Sequence, residues 1–100
     1  MKSIMIADDH LIVGQGIASL LENTYNVVAI FQSGEALLER FEANPVDIVI
    51  TDVSMGKMTG IALTQRLCAR SKTVKVICLS MHNEQEYVES ASKRAQLAIY

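Results

Sequence analysis

The sequence predicts an α/β domain: a doubly wound parallel sheet of five strands with helices on both faces. Three observations carry this. Short apolar runs alternate with amphipathic segments along the whole chain, in the pattern β-α-β-α-β-α-β-α-β. The central run, Val46–Thr51, is almost continuously apolar, as a strand covered on both faces must be. Acidic or hydroxyl residues stand directly after the first, third and fourth runs, where parallel sheets of this kind present their ligand-binding groups.

The elements follow in order. Ser3–Ala7 reads as a buried strand, and Val13, Ile17, Leu20 and Leu21 then recur at helical spacing. Gly14 and Gly16 weaken that helix by up to ~1 kcal/mol each relative to alanine. Asn26–Ile30 is the second strand. Ser33 is placed to cap a helix running through Ala36, Leu37 and Phe41. Asn44-Pro45 ends it, because proline disfavours the helical conformation of the residue before it. After the third strand comes a polar, glycine-bearing loop, Asp52 to Gly60, and a helix over Ile61–Arg70 with Leu63 and Leu67 four apart. Val74–Leu79 is the fourth strand. Asn83 and Glu86 resemble a capping box opening a further helix through Arg94, polar apart from Tyr87, Val88 and Ala91. Leu97–Tyr100 reads as the opening of the fifth strand.

Composition narrows the function classes. One hundred residues allow a single domain, here 1–100. Half are apolar and the net charge is −2, too apolar and too weakly charged for disorder. No apolar run approaches the ~18–20 residues of a membrane span, so no membrane role is expected. The pI near 5.6 argues against this chain binding nucleic acid by itself. Arg66, Arg70, Lys72 and Lys75 read as cations around a helix C-terminus. Cys68 and Cys78 lack zinc spacing and sit among apolar neighbours, which points to reduced, buried thiols and a cytoplasmic protein.

Of the four aspartates, Asp8 and Asp9 follow strand one and Asp52 follows strand three, its neighbour in a doubly wound sheet. Carboxylates converging there repel unless a cation intervenes. A hard divalent ion, Mg²⁺, suits such a site and leaves positions open for phosphate oxygens. A carboxylate beside it can act as a nucleophile toward phosphorus, and Asp52 is best placed. The hydroxyl of Ser80, after strand four, could donate to a phosphoryl oxygen. Each element has a plainer alternative: Asp8-Asp9 as a helix cap, Asp52 as a turn residue, Ser80 as a loop serine. His10 and His82 flank the rim and read as solvated loop histidines, and Met55, Met58 and Met81 as packing residues.

Three stretches resemble the receiver domain of bacterial two-component response regulators, of the NarL/FixJ type. They are Ile6-Ala7-Asp8-Asp9-His10, Ile48 through Met55 with Met58-Thr59-Gly60, and Val76 through His82. The resemblance implies a flavodoxin-like strand order 2-1-3-4-5. It implies that Asp52 accepts a phosphoryl group from a sensor histidine kinase. Asp9 would bind Mg²⁺ directly, Asp8 would help hold it, and Ser54 would contribute its backbone carbonyl. Ser80 would meet the phosphoryl group and couple it to a surface on the fourth helix and fifth strand, controlling dimerisation or a DNA-binding output domain in transcription regulation. The chain would act on itself alone and not as a general enzyme.

The departures are specific. Gly56 stands where the family usually has proline, and Ala95 and Ala98 where it carries glycines. Ile99 falls at the position of the switch aromatic by ungapped counting, with Tyr100 one residue late. The family's strand-five lysine would lie beyond Tyr100. The resemblance thus implies a receiver lacking its final helix and any output domain, with an exposed sheet edge that favours self-association. Two rivals remain. A phosphatase would want an acid where Ser54 stands, and a phosphorylation-independent interaction module would have no use for the acidic trio.

Overall fold

The computed structural model describes residues 1–80 and 95–99. Strands β1 (Ser3–Ala7), β2 (Asn26–Phe31), β3 (Ile48–Asp52), β4 (Lys75–Ser80) and β5 (Ala95–Ile99) form one sheet in the order β2-β1-β3-β4-β5. Every pairing is parallel. The doubly wound five-stranded sheet expected from the alternating pattern is the one observed. Helices α1 (Leu11–Leu21), α2 (Gly34–Ala43) and α3 (Gly60–Arg70) connect the strands. The helix expected after Asn83, together with His82 and Tyr100, lies outside the described residues.

Alternation along the strands divides the core in two. Met5, Ala7, Val49, Val76 and Cys78 face α2 and α3, where Leu37, Phe41, Leu63 and Leu67 close the larger cluster. Ile4, Ile6 and Ile50 face the other way and pack with Ile17 of α1. β3 is therefore covered on both sides, which is why its sequence lacks the polar alternation of a half-exposed strand.

Several boundaries move. β3 begins at Ile48, two residues later than its apolar run. At Asp47 the chain is tied instead to β1, where the amide and hydroxyl of Ser3 donate to its carboxylate at 2.9 and 3.1 Å. Asp52 consequently closes the strand instead of following it. β5 starts at Ala95, two residues ahead of the sequence expectation, because its pairing with β4 opens at Val76–Ala95. Leu20, assigned to the apolar stripe of α1, is 81% exposed. At ~100° per residue it lies about a quarter turn from the line of Gly14, Ile17 and Leu21 that meets the sheet.

The helix ends behave as their residues dictate. Ser33 Oγ accepts from Ala36 N at 3.1 Å at the start of α2, as its position suggested, and Thr59 Oγ1 does the same for Ala62 N in α3. At the C-terminus of α3, Arg70 donates to the Arg66 carbonyl at 3.0 Å and pairs with Glu42 of α2 at 2.8 Å. The helix-end reading of the basic cluster holds for Arg70, whereas Lys75 opens β4. Neither cysteine is in a disulfide; Cys78 is buried and Cys68 half-buried.

Candidate functional site

The carboxyl ends of β1 and β3 are adjacent, with Ala7 paired to Thr51. Just past that pair the chain places Asp8, Asp9, His10 and Asp52 so that one ligand atom from each lies within 4.8 Å of the others. Asp8 is buried at 5% exposure, and its Oδ1 accepts the His10 amide at 2.8 Å. That bond holds the turn into α1, so Asp8 does serve the helix entry. α1 itself has no side-chain cap. Asp9 is exposed and sits 3.0 Å from His10 Nδ1, which is also 3.5 Å from Asp8.

Asp52 is half-buried at the end of the central strand. Ser54 N donates to its Oδ1 at 3.3 Å, closing a tight turn after the strand. Burial pushes the Asp52 carboxyl above the ordinary aspartate range. The Ser54 amide opposes this, the charges of Asp8 and Asp9 push the same way as burial, and His10 opposes them. A cation among the three carboxylates would remove the repulsion. The donor set consists of hard oxygens, with His10 at the edge, and it fits Mg²⁺.

The loop after Asp52 is fixed by backbone. Val53 N donates to Leu79 O of β4 at 3.0 Å, and Gly60 N to Val53 O at 2.8 Å. A Cβ on Gly60 would come within 2.2 Å of the Asp52 carbonyl oxygen. Only glycine lets α3 start this close to the strand. Gly56, where the resembling family has proline, adopts φ +30°, which a proline ring cannot reach.

The sequence-predicted residues thus divide. Asp8, Asp9 and Asp52 are brought together, and Ser54 stands in the turn beside Asp52. Ser80 closes β4, with its backbone opposite Ile99 in the β4–β5 register. His10, read as a solvated loop histidine flanking the rim, is exposed at that rim and belongs to the cluster. The role of Gly60 was missed, although the residue stands in the Met58-Thr59-Gly60 stretch of the resemblance, because that role depends on a through-space contact.

Comparison with known proteins places the chain in a family. The model of the response regulator receiver domain matches residues 4–97, and the chain belongs to that family. The transcriptional regulatory protein DegU of Brevibacillus brevis is 35% identical over 92 residues, covering 90% of this chain and 39% of DegU. The transcriptional regulatory protein UhpA of Escherichia coli K12 is 38% identical over 93 residues, covering 91% of this chain and 46% of UhpA. The chain therefore spans less than half the length of these relatives.

Among solved structures, the isolated receiver domain of RcsB from Salmonella enterica serovar Typhimurium, with the phosphomimetic BeF3⁻, superimposes with a TM-score of 0.79 at 32% identity. It covers 89% of this chain and 68% of that one. A LuxR-family DNA-binding response regulator from Staphylococcus aureus gives 0.86 at 22% identity, covering 99% and 86%, and shows the fold alone. The chain is a response regulator receiver domain of the two-component type, and its relatives are transcription regulators. Among the described residues no helix is long and apolar enough to cross a membrane.

Proposed function

We propose that this receiver accepts a phosphoryl group on Asp52 from a phosphohistidine of a partner sensor kinase, in a Mg²⁺-dependent reaction. The observation that carries this reading is the convergence of Asp8, Asp9, His10 and Asp52 at one sheet rim, with Asp52 on the central strand. Asp8 and Asp9, with Asp52 and the backbone carbonyl of Ser54, would hold the ion, which supplies neutralising charge for the carboxylates and the incoming phosphoryl oxygens.

The chain's own residues do the rest. The Ser54 amide holds Asp52 Oδ1, which leaves the other oxygen to attack phosphorus. A P–O bond forms to Asp52 as the P–N bond to the donor imidazole breaks, and the imidazole leaves with its electron pair and takes up a proton. Ser80, at the end of the strand next to β3, is the residue to meet the new phosphoryl oxygens. The added charge would bias a surface at β5 and the segment that leads into it, with Ile99 or Tyr100 as the switch position. That surface would control dimerisation or a DNA-binding output domain elsewhere in the protein. Support comes from the RcsB receiver, which was solved with a phosphomimetic.

The test is intact-mass analysis after incubation with Mg²⁺ and a small phosphodonor. One phosphoryl adduct is expected, absent without Mg²⁺ and absent in Asp52→Ala. An adduct that persists in Asp52→Ala overturns the assignment.

A further inference from the structure

The Asp52–Val53 peptide is held at both ends, and one of the holders is a side chain that no comparison assigns. Its N–H donates to β4 through Leu79 O at 3.0 Å. Its carbonyl has no strand partner on the other side, because the β1–β3 pairing stops at Ala7–Thr51. That carbonyl oxygen is instead pressed against Gly60, where a Cβ would come within 2.2 Å. A carbonyl packed this way needs a donor. Thr51 supplies it: Oγ1 donates to Asp52 O at 3.0 Å.

Thr51 is otherwise an odd residue for its place. It is fully buried, and alternation along β3 puts it on the same face as Val49, the face that packs against α2 and α3. Its hydroxyl has one further neighbour, Met55 Sδ at 4.0 Å. Valine has the same shape and suits a buried strand better. A hydroxyl there makes sense if the bond to Asp52 O matters.

We propose that Thr51 is a positioning residue for phosphoryl acceptance, its hydroxyl fixing the peptide plane from which the Asp52 carboxylate projects. This inference rests on the reading of Asp52 as the acceptor. The mechanics are local. The plane of the Asp52–Val53 peptide is set by ψ of Asp52 and φ of Val53. Rotating it shifts Ser54 N, which holds Asp52 Oδ1 at 3.3 Å. It shifts the carboxylate relative to Asp8 and Asp9 as well. Attack on phosphorus is sensitive to such displacements, since an error of about 1 Å can cost about a hundredfold in rate.

The experiment compares Thr51→Val, Thr51→Ser and Thr51→Ala with Thr64→Val as a control for loss of a buried hydroxyl. Thr64 is equally buried and donates to Gly60 O at 2.8 Å, but it does not touch Asp52. Two quantities are read at a temperature where each variant is folded. One is the rate of adduct formation with a small phosphodonor. The other is the Mg²⁺ dissociation constant from amide shifts of Asp52 and Ser54 in a titration with Mg²⁺ alone.

Thr51→Val is expected to slow the reaction about tenfold and weaken Mg²⁺ several-fold. Thr51→Ser, which keeps the donor, should stay within about twofold of wild type, as should Thr64→Val. If valine prevents folding, Thr51→Ala against Thr51→Ser gives the same contrast. Wild-type rate and Mg²⁺ affinity in Thr51→Val overturn the proposal, as does an equal loss in Thr64→Val. If wild type forms no adduct, the acceptor reading fails first and this inference fails with it.

Discussion

Asp47 and Asp52 stand at opposite ends of the same central strand, and the fold treats them in opposite ways. Asp47, at the amino end, collects donors: the Ser3 amide and hydroxyl bind its carboxylate, and its own amide bonds back to the Ser3 carbonyl at 3.2 Å. Those hydrogen bonds hold its carboxyl below the ordinary aspartate value. Asp52, at the carboxyl end, is half-buried beside two more carboxylates, and burial leads the causes that push it above that value. One aspartate is satisfied by the chain. The other is left short of positive charge. A carboxylate that only staples strands looks like Asp47, and one kept for an incoming cation and phosphoryl group looks like Asp52.

The largest expected effect is at the unsatisfied end. Asp52→Asn should abolish the phosphoryl adduct by intact mass while raising the thermal midpoint by roughly a few degrees, because it removes a repelled charge. A loss of stability would mean that Asp52 is a structural residue like Asp47, and the contrast would collapse. Next is Gly60→Ala, whose Cβ collides with the backbone of Asp52. It should destabilise by about 2–3 kcal/mol in urea unfolding and slow phosphorylation in whatever remains folded. Wild-type stability would show that α3 can retreat from the strand at no cost. Smaller again is the effect of Mg²⁺. At about ten times its dissociation constant it should stabilise by about 1.4 kcal/mol. Asp9→Asn should lose most of that gain, and Asp47→Asn none.

How much of this could be read from the sequence depended on the range of the interaction. The sheet was legible because each apolar run is long enough to mark a buried strand, while its order came from the family resemblance and not from the runs. The acidic trio was legible because strand ends in a parallel sheet fall at one rim. The start of β3 was misplaced because Val46 continues the apolar run, while Asp47 is claimed by Ser3, forty-four positions away. Leu20 was misassigned because the helical stripe was drawn from spacing alone, and the sheet contacts only one side of it. The contacts of Thr51 and Gly60 were not legible although both residues lie in the stretches that carry the resemblance: a hydroxyl beside its own neighbour's carbonyl, and a glycine touching a strand from the next helix, leave no periodic trace.

The smallest effect is also the one that separates the two ends most cleanly, because its sign reverses. In Mg²⁺-free buffer, the stability of wild type minus that of Asp47→Asn reports the Asp47 bonds. Its folded pKa lies below the ordinary aspartate value of 3.8. The contribution is therefore present above about pH 4 and disappears as pH falls through the lower, folded value. For Asp52 the folded pKa lies above 3.8. Relative to Asp52→Asn, wild type is then at its best below about pH 4 and loses ground as pH rises through the higher, folded value. Urea midpoints from pH 3 to pH 7 for wild type and the two asparagine variants, at roughly half-unit steps, should give difference curves that slope in opposite directions. Curves of the same slope would show that the acidic rim is as well satisfied as the Ser3–Asp47 staple. The physical case for a cation-dependent acceptor at Asp52 would then fail without any phosphodonor having been added.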